Sequence, residues 1–172
     1  MVKTIELMCF IAFIAFTQSC KQIGPMDPEE VGRQAFQIAI GLDTITIEEY
    51  RAHLITIPEI RIIGENMHMK IDDDIRKRLT SMTVPDWFKN TEKDYNSIIN
   101  YQDRWNIKWS TIQYVDFSYK QSKFDDFKLL TGDLYFNIYN ESNGRTYLGN
   151  LQVKAIWDGS RYRIETLRKS KK

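Results

Sequence analysis

The sequence predicts an α+β fold, with N-terminal helices packed on a curved four-stranded antiparallel meander. Three observations carry that reading. Before residue 105, apolar residues recur at helical spacing in several segments, each opened by a capping residue. From Ile107 to Leu167 the period falls to two, in runs rich in Tyr, Phe and Trp. Short polar turns separate those runs, so successive strands pair antiparallel, and helices followed by such a sheet define α+β.

The chain of 172 residues divides into a leader (1–19), a tether (20–27), one domain (28–167) and a basic tail (168–172). The domain is long enough to bury a core of its own. An aromatic content of 13% beside 27% charged residues excludes the disordered class. The net charge is +1, yet Arg168, Lys169, Lys171 and Lys172 crowd the last five positions. Such a tail can touch phosphates or anionic headgroups, and reads first as a solvated, frayed end.

Met1 to Glu6 carries one lysine, and Leu7 to Phe16 is an apolar block. That block is too short to span about 30 Å of hydrocarbon as a helix, but it suits a signal-peptide core. Thr17-Gln18-Ser19-Cys20 follows it. This resembles the lipobox of bacterial lipoproteins, in which a small residue precedes a cysteine that is acylated and becomes the new N-terminus. Ser19 and Cys20 match the pattern, while Thr17 stands where Leu is usual. The resemblance implies lipidation at Cys20 and a membrane anchor; the alternative is an ordinary secretory signal that leaves Cys20 free. Lys21 is not acidic, which favours the outer membrane. Cys9 lies in the leader, so the domain holds no thiol for a disulfide, a cysteine metal site or a nucleophile.

Within the tether, Gly24 and Pro25 break regular structure. Asp27-Pro28-Glu29-Glu30 then reads as a helix start: a cap, a proline in the first turn, and acids on the positive end of the dipole. Val31, Ala35, Ile38, Ala39 and Leu42 form its apolar face, and Gly41 to Thr44 ends it. Thr46-x-x-Glu49 and Thr56-x-x-Glu59 are capping boxes for two further helices, the second weakened by Gly64. Asp72-Asp73-Asp74 lacks the spacing and the glycine of a calcium loop. It reads as the acidic start of a helix through Ile75, Leu79 and Met82, stopped by Pro85. Asn90 or Thr91 caps the last helix, which carries Tyr95, Ile98, Ile99 and Gln102 and ends near Trp105.

The first strand is predicted over Ile107 to Tyr119. Its apolar phase swaps midway, which calls for a bulge or a sharp bend. Gln121 to Asp126 reads as a charged connection. The second strand, Phe127 to Tyr139, holds Leu130, Leu134, Phe136 and Ile138 in one phase. Asp133, Tyr135, Asn137 and Tyr139 hold the other. Asn143-Gly144 and Asp158-Gly159 mark the next two turns, with Tyr147, Leu151, Val153, Ala155 and Trp157 between them. Tyr162 and Ile164 start the last strand.

The order of elements, ending in Trp157-Asp158-Gly159-Ser160-Arg161-Tyr162-Arg163-Ile164, resembles the NTF2-like (cystatin-like) superfamily. The resemblance implies a strongly bent sheet wrapped around a helix and enclosing a conical pocket. Enzymes of that superfamily pair a pocket carboxylate with a tyrosine or a second acid. The residues that could play those parts here are Asp116 on the first strand with Asp133 and Tyr135 on the second. Asp133 and Tyr135 are two apart and share a face, which can equally be the wet face of an antiparallel sheet.

No phosphate-binding glycine loop, zinc-binding histidine pair or nucleophile elbow is present, and His53 and His68 fall on separate predicted helices. No cofactor or metal is expected. The strand aromatics have few Lys or Arg interleaved among them, which disfavours nucleic acid as a partner. The expected function is therefore a non-catalytic binding or assembly role in the cell envelope. The membrane is reached through an N-terminal lipid, and the ligand is an unidentified protein or small molecule. The alternative is an enzyme or carrier using Asp133 and Tyr135 inside the cone.

Overall fold

A computed structural model describes residues 24–140 and 143–170. The leader and Cys20 lie outside the described residues. Among the described residues five α-helices come first: α1 (Pro28–Ile40), α2 (Ile47–Ala52), α3 (Ile57–Glu65), α4 (Asp73–Ser81) and α5 (Val84–Trp105). A 3-10 turn (Trp109–Thr111) leads into β1 (Gln113–Phe124), β2 (Phe127–Asn140), β3 (Arg145–Trp157) and β4 (Tyr162–Lys169). The strands form one antiparallel sheet in chain order, so the α+β meander is as the sequence predicts.

Local chemistry places the helix starts. The Asp27 carboxylate accepts from the N–H of Glu29, and Pro28 occupies the first turn. Thr46 and Glu49 cap each other reciprocally. Glu59 accepts from both the N–H and the hydroxyl of Thr56. Asp72 accepts from the N–H groups of Asp74 and Ile75, so the acidic triplet is a helix cap.

The last helix begins earlier than expected, at Val84, capped by Thr83. Pro85 lies inside its first turn, where the missing N–H would be free in any case. Thr91 is consequently mid-helix and buried, accepting from Arg51 Nε and donating to the Phe88 carbonyl.

Two apolar layers sandwich one end of the sheet. In the main core, Val31, Ala35, Ile38 and Ala39 of α1 pack with Leu134, Phe136, Leu151, Val153 and Leu167. On the opposite face, Ile60 and Ile63 of α3 and Leu79 of α4 pack with Phe127 and Ile156. Adjacent residues therefore serve different layers: Ala155 belongs to the first and Ile156 to the second.

The sheet curls around α1. Gln121 on β1 donates from Nε2 to the Tyr162 hydroxyl on β4 at 2.6 Å, although two strands separate them in the sheet. The expected bulge is found between Tyr114 and Asp116. Close approach of α1 requires Gly32, where a Cβ would lie 2.4 Å from Cβ of Phe117. Gly132 clears the other side of the same ring.

The first strand differs from its predicted bounds. Ile107 and Trp109 precede it, both buried, and the stretch from Gln121 to Phe124 is strand rather than connection. Ser122, Lys123 and Phe124 pair with Leu129, Lys128 and Phe127, leaving Asp125-Asp126 as the turn. An edge strand solvated on both sides needs no apolar phase, so its polar residues resemble a loop.

The last strand is sealed along its outer edge. The Tyr162 N–H donates to the Pro25 carbonyl at 2.7 Å, and the Ile55 N–H donates to the Ile164 carbonyl at 2.7 Å. The Tyr50 hydroxyl donates to the Leu167 carbonyl, and the Lys169 N–H donates to Ser97 Oγ at 3.1 Å. Two expectations change as a result. Gly24 and Pro25 are docked on the sheet rather than free in a tether, and Arg168 and Lys169 belong to β4 rather than to a frayed tail.

Candidate functional site

The alternation of β2 sends Leu134 and Phe136 into the core and Asp133 and Tyr135 to the other face. Register brings the three predicted site residues together there, with Asp116 directly opposite Tyr135 and Asp133 two pairs further along, opposite Ser118. Asp116 is exposed, whereas Asp133 and Tyr135 are half-buried. This face is turned away from α1, on the outer side of the curl. The expectation of a carboxylate–tyrosine pair inside the cone is therefore not met: the pair exists, but on the convex surface. The reason is the phase of β2, whose core residues occupy the concave side.

Residues that local reading passed over complete the face. Asn150 on β3 stands opposite Tyr135 and donates to Asp133 Oδ1 at 3.1 Å. Lys169 donates to Asn150 Oδ1 at 2.8 Å and lies 4.1 Å over the Tyr101 ring. Next to them, the Arg168 guanidinium forks onto Gln152 Oε1 at 2.6 and 2.9 Å. It also stands 3.8 Å from the buried carboxylate of Asp94 on α5. Burial pushes the Asp94 carboxyl above its ordinary range, against the pull of Arg168 and Lys154. The only sequence signal for this row was the polar phase of β3, with Asn150, Gln152 and Lys154 two apart.

Two clefts lie at the end of the sheet where the strand turns meet the loop after α3. The larger, of about 420 Å³, is lined by His68, Met69, Lys123, Asp126, Lys128 and Trp157, among others. The Asp126 turn is clasped to this loop: its N–H donates to the Lys70 carbonyl at 2.9 Å, and its carboxylate accepts from the Lys70 N–H at 3.0 Å. The Lys128 ammonium sits 4.4 Å over the Trp157 ring. His68 thus stands in a turn, not on the helix expected for it.

The smaller cleft, of about 260 Å³, runs along α3 past Ile62, Glu59 and Arg163 to Asp158 and Ser160. Arg163 and Glu59 pair at 2.8 Å. Burial works against ionisation of Asp158, but the N–H groups of Ser160 and Arg161 and the Ser160 hydroxyl outweigh it. Its carboxyl is held below the usual range. His53 closes α2, and burial lowers its imidazole below its ordinary value.

Among the described residues, no group of three His, Cys, Asp or Glu side chains could hold a metal ion, and no helix is long and apolar enough to cross a membrane. No protein-family model, curated protein or solved structure matches the chain.

Proposed function

We propose that this protein is a lipid-anchored, non-catalytic binding module of the bacterial cell envelope, built on an NTF2-like domain. The observation that carries the reading is the docking of Gly24 and Pro25 against Tyr162. Four residue steps separate Cys20 from Gly24, a reach of about 14 Å when fully extended. Acylation at Cys20 would therefore hold the start of β4, and the turn before it, close to the bilayer. Gly159 borders the larger cleft and Ser160 the smaller, so both open beside that anchor. The cradling of α1 by a curled sheet, with a bulge in its first strand, supports the NTF2-like reading of the fold.

An acylated cysteine carrying two or more chains is a firm anchor, because each buried CH₂ contributes about 0.8 kcal/mol. Cys20→Ala moves the protein from the membrane fraction to the soluble one; unchanged partitioning overturns the anchor. The binding role is tested by native purification from membranes. A molecule retained by the parent chain and lost from Trp157→Ala supports the cleft as its seat. Retention of nothing by the parent overturns the binding reading.

A further inference from the structure

The two edges of the sheet are treated differently. The outward groups of β4 are met by Pro25, Tyr50, Ile55 and Ser97, four separate parts of the chain. Among the described residues, no backbone group of β1 is bonded outside its ladder with β2. From Asp116 to Phe124, β1 is paired with β2 without interruption, and it is exposed at nearly every position. Tyr119 and Phe124 are among the large apolar side chains left exposed. A free edge of this length is a template for a further strand.

The sequence of β1 is complementary to itself. Antiparallel strands related by a two-fold axis normal to the sheet keep the same face on both copies. Residues of one parity therefore face residues of the same parity. With the axis at Ser118, Asp116 of each copy lies opposite Lys120 of the other, twice over. On the concave side, Phe117 lies opposite Tyr119, again twice. Moving the axis one residue, to Phe117 or Tyr119, leaves Asp116 and Lys120 opposite uncharged residues, and moving it two sets Asp116 or Lys120 against itself. Within β1 only the axis at Ser118 brings opposite charges together, so charge favours that register.

We propose that β1 docks a second copy of this chain antiparallel, with the axis at Ser118, joining the two sheets into one of eight strands. A second copy suits this edge because the charge order of Asp116 and Lys120 is met by another β1 in this arrangement. The inference stands apart from the lipid anchor and the clefts.

Sedimentation of the full chain in detergent tests it, and the parent is expected to be a dimer at micromolar concentration. Asp116→Lys and Lys120→Asp each place like charges opposite one another at two symmetric positions. Each is expected to weaken the dimer about tenfold. The double variant Asp116→Lys/Lys120→Asp restores the pairing with its sense inverted and recovers dimerisation to within about threefold of the parent. In a Cys9→Ser/Cys20→Ser background and under a mild oxidant, Ser118→Cys gives a disulfide-linked dimer that the background chain, with no thiol, does not. A parent that is monomeric at about 100 µM overturns the proposal. So do single variants that dimerise like the parent, a double variant no better than the singles, or the absence of the Ser118→Cys band.

Discussion

The side chain of Phe117 depends on two residues that have none. Gly32 lets α1 settle onto it, and Gly132 clears its other flank. Gly32→Ala puts a methyl group where the ring already stands, and overpacking of this kind costs about 1–3 kcal/mol. Urea denaturation of the variant reads that loss as a lower midpoint; an unchanged midpoint would show that the helix can shift freely. Periodicity could not reveal Gly32, because the demand for it comes from β1 and not from its own helix. Asp94 is a second such residue. Its folded pKa lies above the unfolded value, so its contribution to stability is full at low pH and declines as pH rises through the folded value. Asp94→Asn is therefore expected to match the parent below about pH 3.9 and to melt higher at pH 7. Melting curves at the two pH values check the sign, and a variant less stable at pH 7 would mean that the pairing with Arg168 dominates.

At the level of elements, what could be read in advance was local. Asp27, Thr46, Thr56 and Asp72 announce helix starts because a cap is satisfied by its own next turn. The misread boundaries are those that distant neighbours decide. Lys123 is strand because Lys128 pairs with it, and Lys169 is strand because Leu151 does. The docked segment before α1 belongs to the same class. A Cβ on Gly24 would lie 2.1 Å from the Tyr162 carbonyl oxygen, and backbone there cannot easily yield. Gly24→Ala is expected to lift the segment away, removing the Pro25 acceptor from the Tyr162 N–H. Hydrogen exchange would then accelerate at Tyr162 while Val153, in the sheet interior, stays protected. Equal protection at Tyr162 in parent and variant would mean that the segment holds without Gly24.

For the molecule as a whole, the period of β2 was enough to put Asp133 and Tyr135 on one face, but not to say which side of the curl that face is. The answer depends on where α1 packs, and nothing within β2 encodes it. The clefts were harder still, since Met69, Asp126 and Trp157 meet only after three separate turns converge. The sealing of β4 has a kinetic consequence. Its bonds to Tyr50 and Ser97 bridge 117 and 72 positions of sequence. Contacts of such separation slow folding, because the loops they close must be ordered first. A chain that emerges N-terminus first carries its helices long before the strand that completes their cover. The domain therefore stays open until β4 arrives, and Gly24 and Pro25, which dock on Tyr162, can take their place only then.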